Sequence, residues 1–334
     1  MSEFKEKMPQ KRSKRPNRLT PSPSPSASSA SFDLASPDRP FDNILNFRDV
    51  GRSVNEFAGN KILKEGVLFR SARLDDASER DKHRLIDDIN LLTVIDLRSH
   101  TEHVLATRRR QISLSLTPSE EPSFPETADR PHLLDLPGVK RHFISLTGRA
   151  FERLLLWRLD WYNFIKVIGL LTSGYRKEAI RVIATNVMKP RGLIGLGQDT
   201  LDSAGSEIRD VFNVLTSDDA YPVLIHCTQG KDRTGLIIML LLLLVQETAP
   251  DVPLTAIAAD YSKSETELRP ELESLMKEIT DIGLDEEYAK TPPGFTEALK
   301  EHLDTKYGGA KAYLLSIGCE EANIEKIRRR LLLL

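Results

Sequence analysis

One ten-residue window of the chain combines a nucleophile with groups that bind anions. Residues 226–235 read His-Cys-Thr-Gln-Gly-Lys-Asp-Arg-Thr-Gly and include Cys227, one of two cysteines in the chain. The window follows a short apolar run at 223–225 and precedes a strongly apolar run at 236–245. Runs of these lengths predict a buried strand and a buried helix. The sequence therefore places a cysteine, two glycines and two cations in a loop between a strand and a helix.

A loop that leads into a helix N-terminus is suited to bind phosphate, because unpaired backbone N–H groups and a partial positive charge meet there. The same setting favours the thiolate form of Cys227. Arg233 follows the cysteine by six positions, and its planar fork can hold two phosphoryl oxygens. We therefore expect Cys227 to attack phosphorus and Arg233 to stabilise the transferring group, without a metal or another cofactor. Thr234 is predicted to donate its hydroxyl to the Cys227 sulfur when the phosphocysteine breaks down. The predicted substrate-binding residues are Thr228, Gln229, Gly230, Lys231 and Gly235.

Other interpretations of this window remain open. A cysteine after a strand is often only a small core residue, although the density of Gly, Lys, Arg and Thr around Cys227 argues against that. The loop could bind phosphate without catalysis, as a module that recognises modified partners. A thiol redox protein would need Cys319, which lies far from Cys227 in sequence. A nucleotide-binding loop is excluded because the Gly-Lys-Ser/Thr order is absent.

The window resembles the Cys-x5-Arg signature of the protein tyrosine and dual-specificity phosphatase superfamily. In its full form it is similar to the tyrosine-phosphatase-like subgroup of bacterial secreted phosphatases and their fungal relatives. Further stretches resemble motifs of that subgroup in the same order: 46–51 (Asn-Phe-Arg-Asp-Val-Gly), 66–74, 95–98 (Ile-Asp-Leu-Arg), 260–262 and 308–314. The resemblance spans roughly residue 41 to the C-terminus. It implies one phosphatase domain over 41–334 and activity on phosphotyrosine and on lipids.

The general acid is less clearly marked than the nucleophile. The chain has no Trp-Pro-Asp loop of the receptor-type tyrosine phosphatases. Asp232 is our first candidate, because its position resembles the loop aspartate of lipid-directed members of the superfamily. Asp96, at the end of a predicted strand, is the second, with pairing to an arginine as its alternative role. Asp199 and Asp202 lie in a Gly-rich stretch that could form a mobile loop, and they are the weakest candidates.

Phosphotyrosine in a protein is the substrate that we expect, with a phosphoinositide as the alternative. Lys231 is either a solvated side chain or a second cation that favours the binding of multiply phosphorylated substrates. Four arginines in the family-like motifs could line the rim or brace the loops: Arg48, Arg70, Arg73 and Arg98. The formal net charge of −2 gives no general attraction to nucleic acid.

Residues 1–40 are predicted to be a disordered tail, basic at 11–15 and rich in Ser and Pro afterwards. Two cysteines exclude a disulfide framework and suit a reducing compartment. No apolar signal-peptide core is evident near the N-terminus. We therefore expect a cytoplasmic protein, with a nuclear location as the alternative because of the basic stretch.

Strands that alternate with helices predict an α/β fold: a central, mostly parallel sheet flanked by helices, with a helical insertion and a helical C-terminal region. The predicted strands are 66–70, 91–97 and 223–226. Helices are predicted at 75–89, 150–171, 175–188, 206–216 and 236–246, with residues 189–192 ending the third of them. A long loop is predicted at 108–138. Five helices are predicted in the C-terminal region: 254–262, 264–282, 295–305, 309–317 and 321–331.

The stretch 150–171 is apolar around most of its circumference and includes Trp157, Trp161, Tyr162 and Phe164. Such a helix is usually buried, so core packing is the favoured interpretation. In the bacterial relatives a helical lid over the active site occupies roughly this part of the chain. The resemblance therefore implies a lid insertion at about 140–190, with transient contact with a membrane surface as a further possibility. Charged residues interrupt the stretch, which argues against a transmembrane span.

Overall fold

The computed structural model describes residues 40–113, 132–249 and 251–333. Almost all of the predicted tail, and residues 114–131 of the predicted long loop, lie outside the described residues. The described residues form one compact unit.

The described strands form one sheet with the order β1-β2-β5-β3-β4. Their bounds are Arg48–Asp49 (β1), Leu68–Ser71 (β2), Thr93–Asp96 (β3), Lys140–Phe143 (β4) and Val223–His226 (β5). Strand β1 runs antiparallel to β2, and the remaining neighbours are parallel. Every residue of β2, β3 and β5 is buried, as expected for a parallel sheet covered on both faces. The predicted α/β fold with a mostly parallel sheet is confirmed.

Helices cover both faces of this sheet. The α-helices are Val50–Ala58 (α1), Glu79–His83 (α2), His100–Ser113 (α3), Arg149–Trp157 (α4), Trp161–Thr172 (α5), Arg176–Ile183 (α6), Lys189–Ser203 (α7), Gly205–Leu215 (α8), Asp232–Gln246 (α9), Leu254–Glu267 (α10), Leu272–Asp281 (α11), Phe295–Tyr307 (α12), Ala310–Ser316 (α13) and Glu321–Leu331 (α14). Single π-helical turns lie at Arg84–Asp88 and Ala184–Met188, and 3₁₀ turns lie at Asp218–Ala220, Arg269–Glu271 and Glu286–Ala289. Among the described residues, none of the helices has both the length and the apolar composition that a transmembrane span requires.

The main core lies on one face of the sheet around α9. Residues from Thr234 to Val245 in this helix are all buried, because α7, α10, α13 and α14 pack against it. Side chains of β5 alternate between the two faces: Ile225 packs into the main core and Leu224 into a smaller cluster on the other face. The sheet therefore holds β5 and its following loop rigidly between two cores.

Several predicted boundaries are wrong. Residues 140–143 form strand β4 at the sheet edge, so the helical insertion cannot begin at 140, and we use the term helical insertion for α4–α7 (149–203). Stretch 150–171 forms two helices, because Asp160 caps the second one through the backbone N–H of Asn163. The helix end predicted at 189–192 corresponds to a break at Gly192, whose backbone is not helical (φ +61°), whereas Pro190 itself lies in the first turn of α7. Helix α3 extends to Ser113, inside the predicted loop.

Candidate active site

The cysteine loop leaves the sheet at the carboxyl end of β5, the middle strand. Ligand sites of open parallel sheets lie at this edge. Cys227 is 2% exposed, and the backbone N–H of Gly230 donates to its Sγ at 3.2 Å. Helix α9 begins at Asp232, so the loop ends at a helix N-terminus as the sequence predicts. We call residues 227–233 the phosphate loop.

Gly230 is required by the close approach of two backbones. Its φ is +66°, and a Cβ at this position would lie 2.0 Å from the carbonyl oxygen of Ser71 at the end of β2. Gly235 has a different role from the one predicted. Its N–H already donates to the Lys231 carbonyl oxygen, and a Cβ would lie 2.9 Å from the Tyr261 ring. Substrate binding by Gly235 is therefore a wrong prediction, because its N–H is used by the helix.

Arg233 is held by a carboxylate that sequence reasoning missed. Its Nη1 and Nη2 donate to the two carboxylate oxygens of Glu102, each at 2.6 Å. Burial would lower the pKa of Arg233, but Glu102 raises it above the ordinary value. Burial likewise opposes ionisation of Glu102, yet Arg233 holds the pKa of Glu102 well below 4.5. Both groups therefore remain charged across the physiological range.

The position of Glu102 leaves one edge of the Arg233 guanidinium free for a ligand. A guanidinium carries five N–H groups, and Glu102 occupies the edge formed by Nη1 and Nη2. Nε and the second hydrogen of Nη2 lie on a different edge and can grip two phosphoryl oxygens. The Thr228 hydroxyl also donates to Glu102, so this side chain is turned towards the carboxylate. Gln229 contributes its carbonyl oxygen, which accepts from the Asn46 side chain at 2.9 Å.

Glu102 had a local signal in the sequence. Ser99 and Glu102 form a reciprocal cap at the start of α3: Ser99 N–H donates to the Glu102 carboxylate at 2.9 Å, and Glu102 N–H donates to Ser99 Oγ at 3.4 Å. The spacing Ser-x-x-Glu is the capping-box pattern. The pattern indicates a helix start but not that the same carboxylate reaches Arg233.

Two motif arginines brace the phosphate loop from behind. Arg70 donates to the Asp260 carboxylate at 2.6 Å and to the Gly230 carbonyl oxygen at 2.7 Å. Arg48 donates to the other oxygen of Asp260 at 2.7 Å. All three charged side chains are buried. Burial opposes ionisation of Asp260, but Arg48 and Arg70 together hold its pKa well below the ordinary value. These arginines therefore position the loop, and they do not line its rim.

The structure buries Lys231 completely and gives it protein partners. Its Nζ donates to the carbonyl oxygens of Tyr288 and Lys290, each at 2.8 Å, and lies 3.7 Å from Oδ1 of Asp232. An ammonium group has three hydrogens, so two are already used. A solvated Lys231 is therefore a wrong expectation, and at most one of its hydrogens is left for a phosphate. The Tyr288 hydroxyl donates to the Met188 carbonyl oxygen, which connects the phosphate loop to the helical insertion.

The predicted contact between Thr234 and the cysteine sulfur is not formed. The Thr234 side chain is completely buried, and its Oγ1 has no hydrogen-bond partner among the described residues. The donor that reaches Sγ is the N–H of Gly230. Stabilisation of the sulfur as a leaving group therefore comes from the loop backbone in this structure.

Comparison with known proteins agrees with this geometry. A profile of the tyrosine phosphatase family matches residues 39–333. The chain belongs to the tyrosine phosphatase family. It is similar to the triple specificity protein phosphatase PtpB of Mycobacterium tuberculosis, with 29% identity over 309 residues that cover 86% of this chain and 96% of PtpB. It is also similar to a tyrosine-protein phosphatase of Nostoc commune, with 33% identity over 129 residues that cover 37% of this chain and 44% of that protein.

A tyrosine phosphatase needs a proton donor for the leaving oxygen, and the structure removes Asp96 from consideration. Asp96 is fully buried and accepts from the Arg98 guanidinium, with the shortest contact at 2.8 Å. Nε2 of His226 lies 3.5 Å from its carboxylate. Burial would raise the pKa of Asp96, but His226 and Arg98 hold it well below 3.8. Asp96 therefore stays ionised, and its pairing with Arg98 is the alternative role stated from the sequence.

Asp232 keeps its candidacy as the acid of this tyrosine phosphatase. Its side chain is 40% exposed, whereas its Oδ1 is buried and has no hydrogen-bond partner in the part of the chain that the structure describes. The Tyr261 ring packs over this first turn of α9, beside Gly235. Burial, together with the Asp232 carboxylate, raises the pKa of Tyr261 well above 10. Asp232 thus has one side in the protein and one side open.

The two remaining acidic candidates belong to helix α7 and not to a loop. Asp199 is buried and pairs with Arg158 at 2.5 Å and Arg191 at 2.9 Å. Asp202 accepts from His302 at 2.8 Å and pairs with Lys306 at 2.7 Å. Their prediction as mobile-loop acids is wrong, because the helix that follows the break at Gly192 includes Gly195 and Gly197 and continues through both aspartates.

Proposed function

We propose that this chain hydrolyses phosphomonoesters in two steps through a phosphocysteine at Cys227. In the first step Sγ attacks phosphorus, the bond between phosphorus and the ester oxygen breaks, and Asp232 gives its proton to the leaving oxygen. In the second step water attacks the phosphocysteine, Asp232 takes a proton from the water, and the thiolate leaves with phosphate released. Donors fixed before the reaction stabilise the charge that develops on the equatorial oxygens.

One observation supports this mechanism above the others: Glu102 binds the Nη1–Nη2 edge of the Arg233 guanidinium and leaves its Nε edge free. A guanidinium held in this way loses little rotational freedom when it binds a phosphoryl group. The Gly230 N–H donates to Sγ of Cys227 at 3.2 Å and orients the sulfur that must attack. Asp260 pairs with Arg70, and Arg70 in turn donates to the Gly230 carbonyl oxygen, which ties the loop to the buried charges behind it.

Phosphotyrosine is the substrate class that we propose. PtpB, of which this chain covers 96%, is named a triple specificity protein phosphatase. The Nostoc commune relative is named a tyrosine-protein phosphatase. Lys231 favours a multiply phosphorylated lipid less than the sequence indicates, because two of the three hydrogens on its Nζ go to the carbonyl oxygens of Tyr288 and Lys290.

A substrate panel tests the proposal. Initial rates are measured on a phosphotyrosine peptide, a phosphoserine/phosphothreonine peptide and soluble phosphoinositides, each with and without a chelator. We expect the highest kcat/KM on phosphotyrosine, no effect of the chelator and inhibition by vanadate.

Cys227→Ser should abolish turnover with unchanged circular dichroism, and Cys319→Ser is the matched control that should retain it. Binding without turnover by the unmutated protein would favour a phosphate-recognition module instead. A higher kcat/KM on phosphoinositides would overturn the substrate class but not the chemistry.

A further inference from the structure

Helix α5 presents an unusual set of apolar side chains to solvent. Four apolar side chains are exposed along this helix: Trp161 (77% exposed), Tyr162 (68% exposed), Ile165 and Ile168. At the end of α4, Trp157 is 83% exposed. We call these five residues the aromatic surface. Val167 is the residue of α5 that is buried. The sequence-based expectation of core packing for this helix is therefore wrong.

Contiguous apolar surfaces of this kind mark interaction sites. Positions 161, 165 and 168 follow the spacing i, i+4, i+7, so they lie on one face of the helix. No other residue in the described parts of the chain covers them, since all remain more than a third exposed. The surface therefore needs a partner outside the described residues.

The charge of the same segment indicates what kind of partner fits. Residues 149–181 contain seven Lys or Arg and three Asp or Glu. Lys166, Arg176 and Lys177 are exposed, and within the described residues no carboxylate pairs with them. This excess positive charge repels a second copy of the same surface. It attracts an anionic partner.

A lipid surface matches this combination better than a protein does. Trp and Tyr prefer the membrane–water interface, whereas Lys is depleted in protein interfaces. Helix α5 has 12 residues, which is about 18 Å of helix and too short to span a bilayer. A short helix with aromatic and aliphatic side chains beside cations is suited to lie in the interfacial plane.

We propose that the aromatic surface docks this protein on an anionic lipid bilayer. The proposal goes beyond the phosphatase activity and does not rest on it. Among the described residues no hydrogen bond or ion pair joins α4, α5 or α6 directly to the phosphate loop. Docking can therefore be measured separately from turnover.

Tryptophan fluorescence provides the test, because both tryptophans of the chain, Trp157 and Trp161, belong to the aromatic surface. The full chain is titrated with vesicles of phosphatidylcholine, with or without phosphatidylserine, and binding is followed by emission and co-sedimentation. We expect a shift of the emission to shorter wavelength with the anionic vesicles, a smaller one with phosphatidylcholine alone, and weakening by salt.

Variants separate the apolar from the ionic contribution. The double variant Ile165→Asn/Ile168→Asn should bind anionic vesicles roughly tenfold more weakly. Lys166→Glu should also weaken binding roughly tenfold, on anionic vesicles alone. The matched controls, Leu315→Asn in α13 and Lys61→Glu in the loop after α1, change exposed residues outside the helical insertion and should bind as the unmutated chain does. Turnover of a soluble aryl phosphate should be the same in all of these proteins.

Three results would overturn the proposal. One is emission that does not change with anionic vesicles. Another is protection of the tryptophans from acrylamide before lipid is added, which would mean that another part of this chain covers the surface. The third is a concentration-dependent emission shift without lipid, which would mean that two copies associate through it. Loss of phosphatase activity would not affect any of these readings.

Discussion

Arg48, Arg70 and Asp260 lie among the most buried side chains of this protein, whereas Trp157 and Trp161 are among the most exposed. The two regions reverse the usual distribution of charged and apolar residues. The buried charges behind the phosphate loop are paired with one another, so their desolvation is offset within the protein. The exposed apolar side chains of α5 have no such partner among the described residues. The comparison indicates that one region is built to hold a site rigid and the other to meet something outside the fold.

Removal of the Asp260 carboxylate, which Arg48 and Arg70 share, should destabilise the buried region. Asp260→Asn leaves Arg48 and Arg70 buried without a counter-charge, and we expect the free energy of unfolding to fall by about 3–5 kcal/mol. Urea denaturation monitored by circular dichroism measures it. Asp218→Asn is the matched control: Asp218 also pairs with two cations, Lys326 and Arg330, but at the exposed surface, so its midpoint should not move. Equal effects of the two variants would contradict the account.

The pH dependence of stability probes the same buried region. Burial lowers the pKa of His226 to about 4, with Asp96 acting in the opposite direction and Arg98 and Arg141 reinforcing the decrease. Because the unfolded pKa is near 6.5, protonation favours the unfolded state. The stability contribution is therefore complete above about pH 6.5 and is lost as the pH falls towards 4, by roughly 2–3 kcal/mol between pH 7 and pH 4.5.

Denaturation at these two pH values, compared between the unmutated protein and His226→Asn, isolates this contribution. His142 also has a pKa lowered by burial, but it is present in both proteins and cancels. The variant should show a smaller pH dependence. An identical pH dependence of stability in both proteins would show that His226 does not cause it.

The role of Glu102 in positioning Arg233 can be tested through catalysis. Glu102→Gln removes the charge that fixes the outer edge of Arg233, and misplacement of a clamp by about 1 Å costs roughly 10²-fold. We expect kcat/KM to fall by about that factor, with kcat reduced more than KM is raised, because Arg233 binds most tightly in the transition state. Glu65→Gln, which changes a surface carboxylate near Arg52, should leave both parameters unchanged. Unaltered kinetics in Glu102→Gln would show that Arg233 orients without it.

The smallest expected effect lies at the aromatic surface. Trp157→Ala removes a large ring that packs against little, so the free energy of unfolding should change by less than about 0.5 kcal/mol. Phe212→Ala removes a buried ring and should cost about 3–5 kcal/mol. Thermal denaturation of both variants gives the contrast. A large loss of stability in Trp157→Ala would mean that this tryptophan belongs to a core.

Features that depend on residues close together in the sequence could be predicted from local patterns. Strand β5 was predicted with its observed bounds, and the phosphate loop lies between it and a buried helix as expected. Ser78 caps α2 in a complete capping box with Asp81, three positions away. Each of these features depends on residues a few positions apart.

Features that depend on distant residues were missed. Glu102 and Arg233 are 131 positions apart, and Arg70 and Asp260 are 190 apart, so no spacing rule connects them. The exposure of α5 was missed for another reason. Its apolar composition predicts burial, but it does not indicate whether the burying surface belongs to the same chain.

The covalent intermediate at Cys227 is the central claim, and its direct test is to trap it. The protein is mixed with a phosphotyrosine substrate, quenched in acid within the first turnovers and digested for mass spectrometry. We predict phosphate on Cys227, none in Cys227→Ser, and an unchanged yield in Cys319→Ser. Phosphate on another side chain, or turnover that persists in Cys227→Ser, would contradict the mechanism.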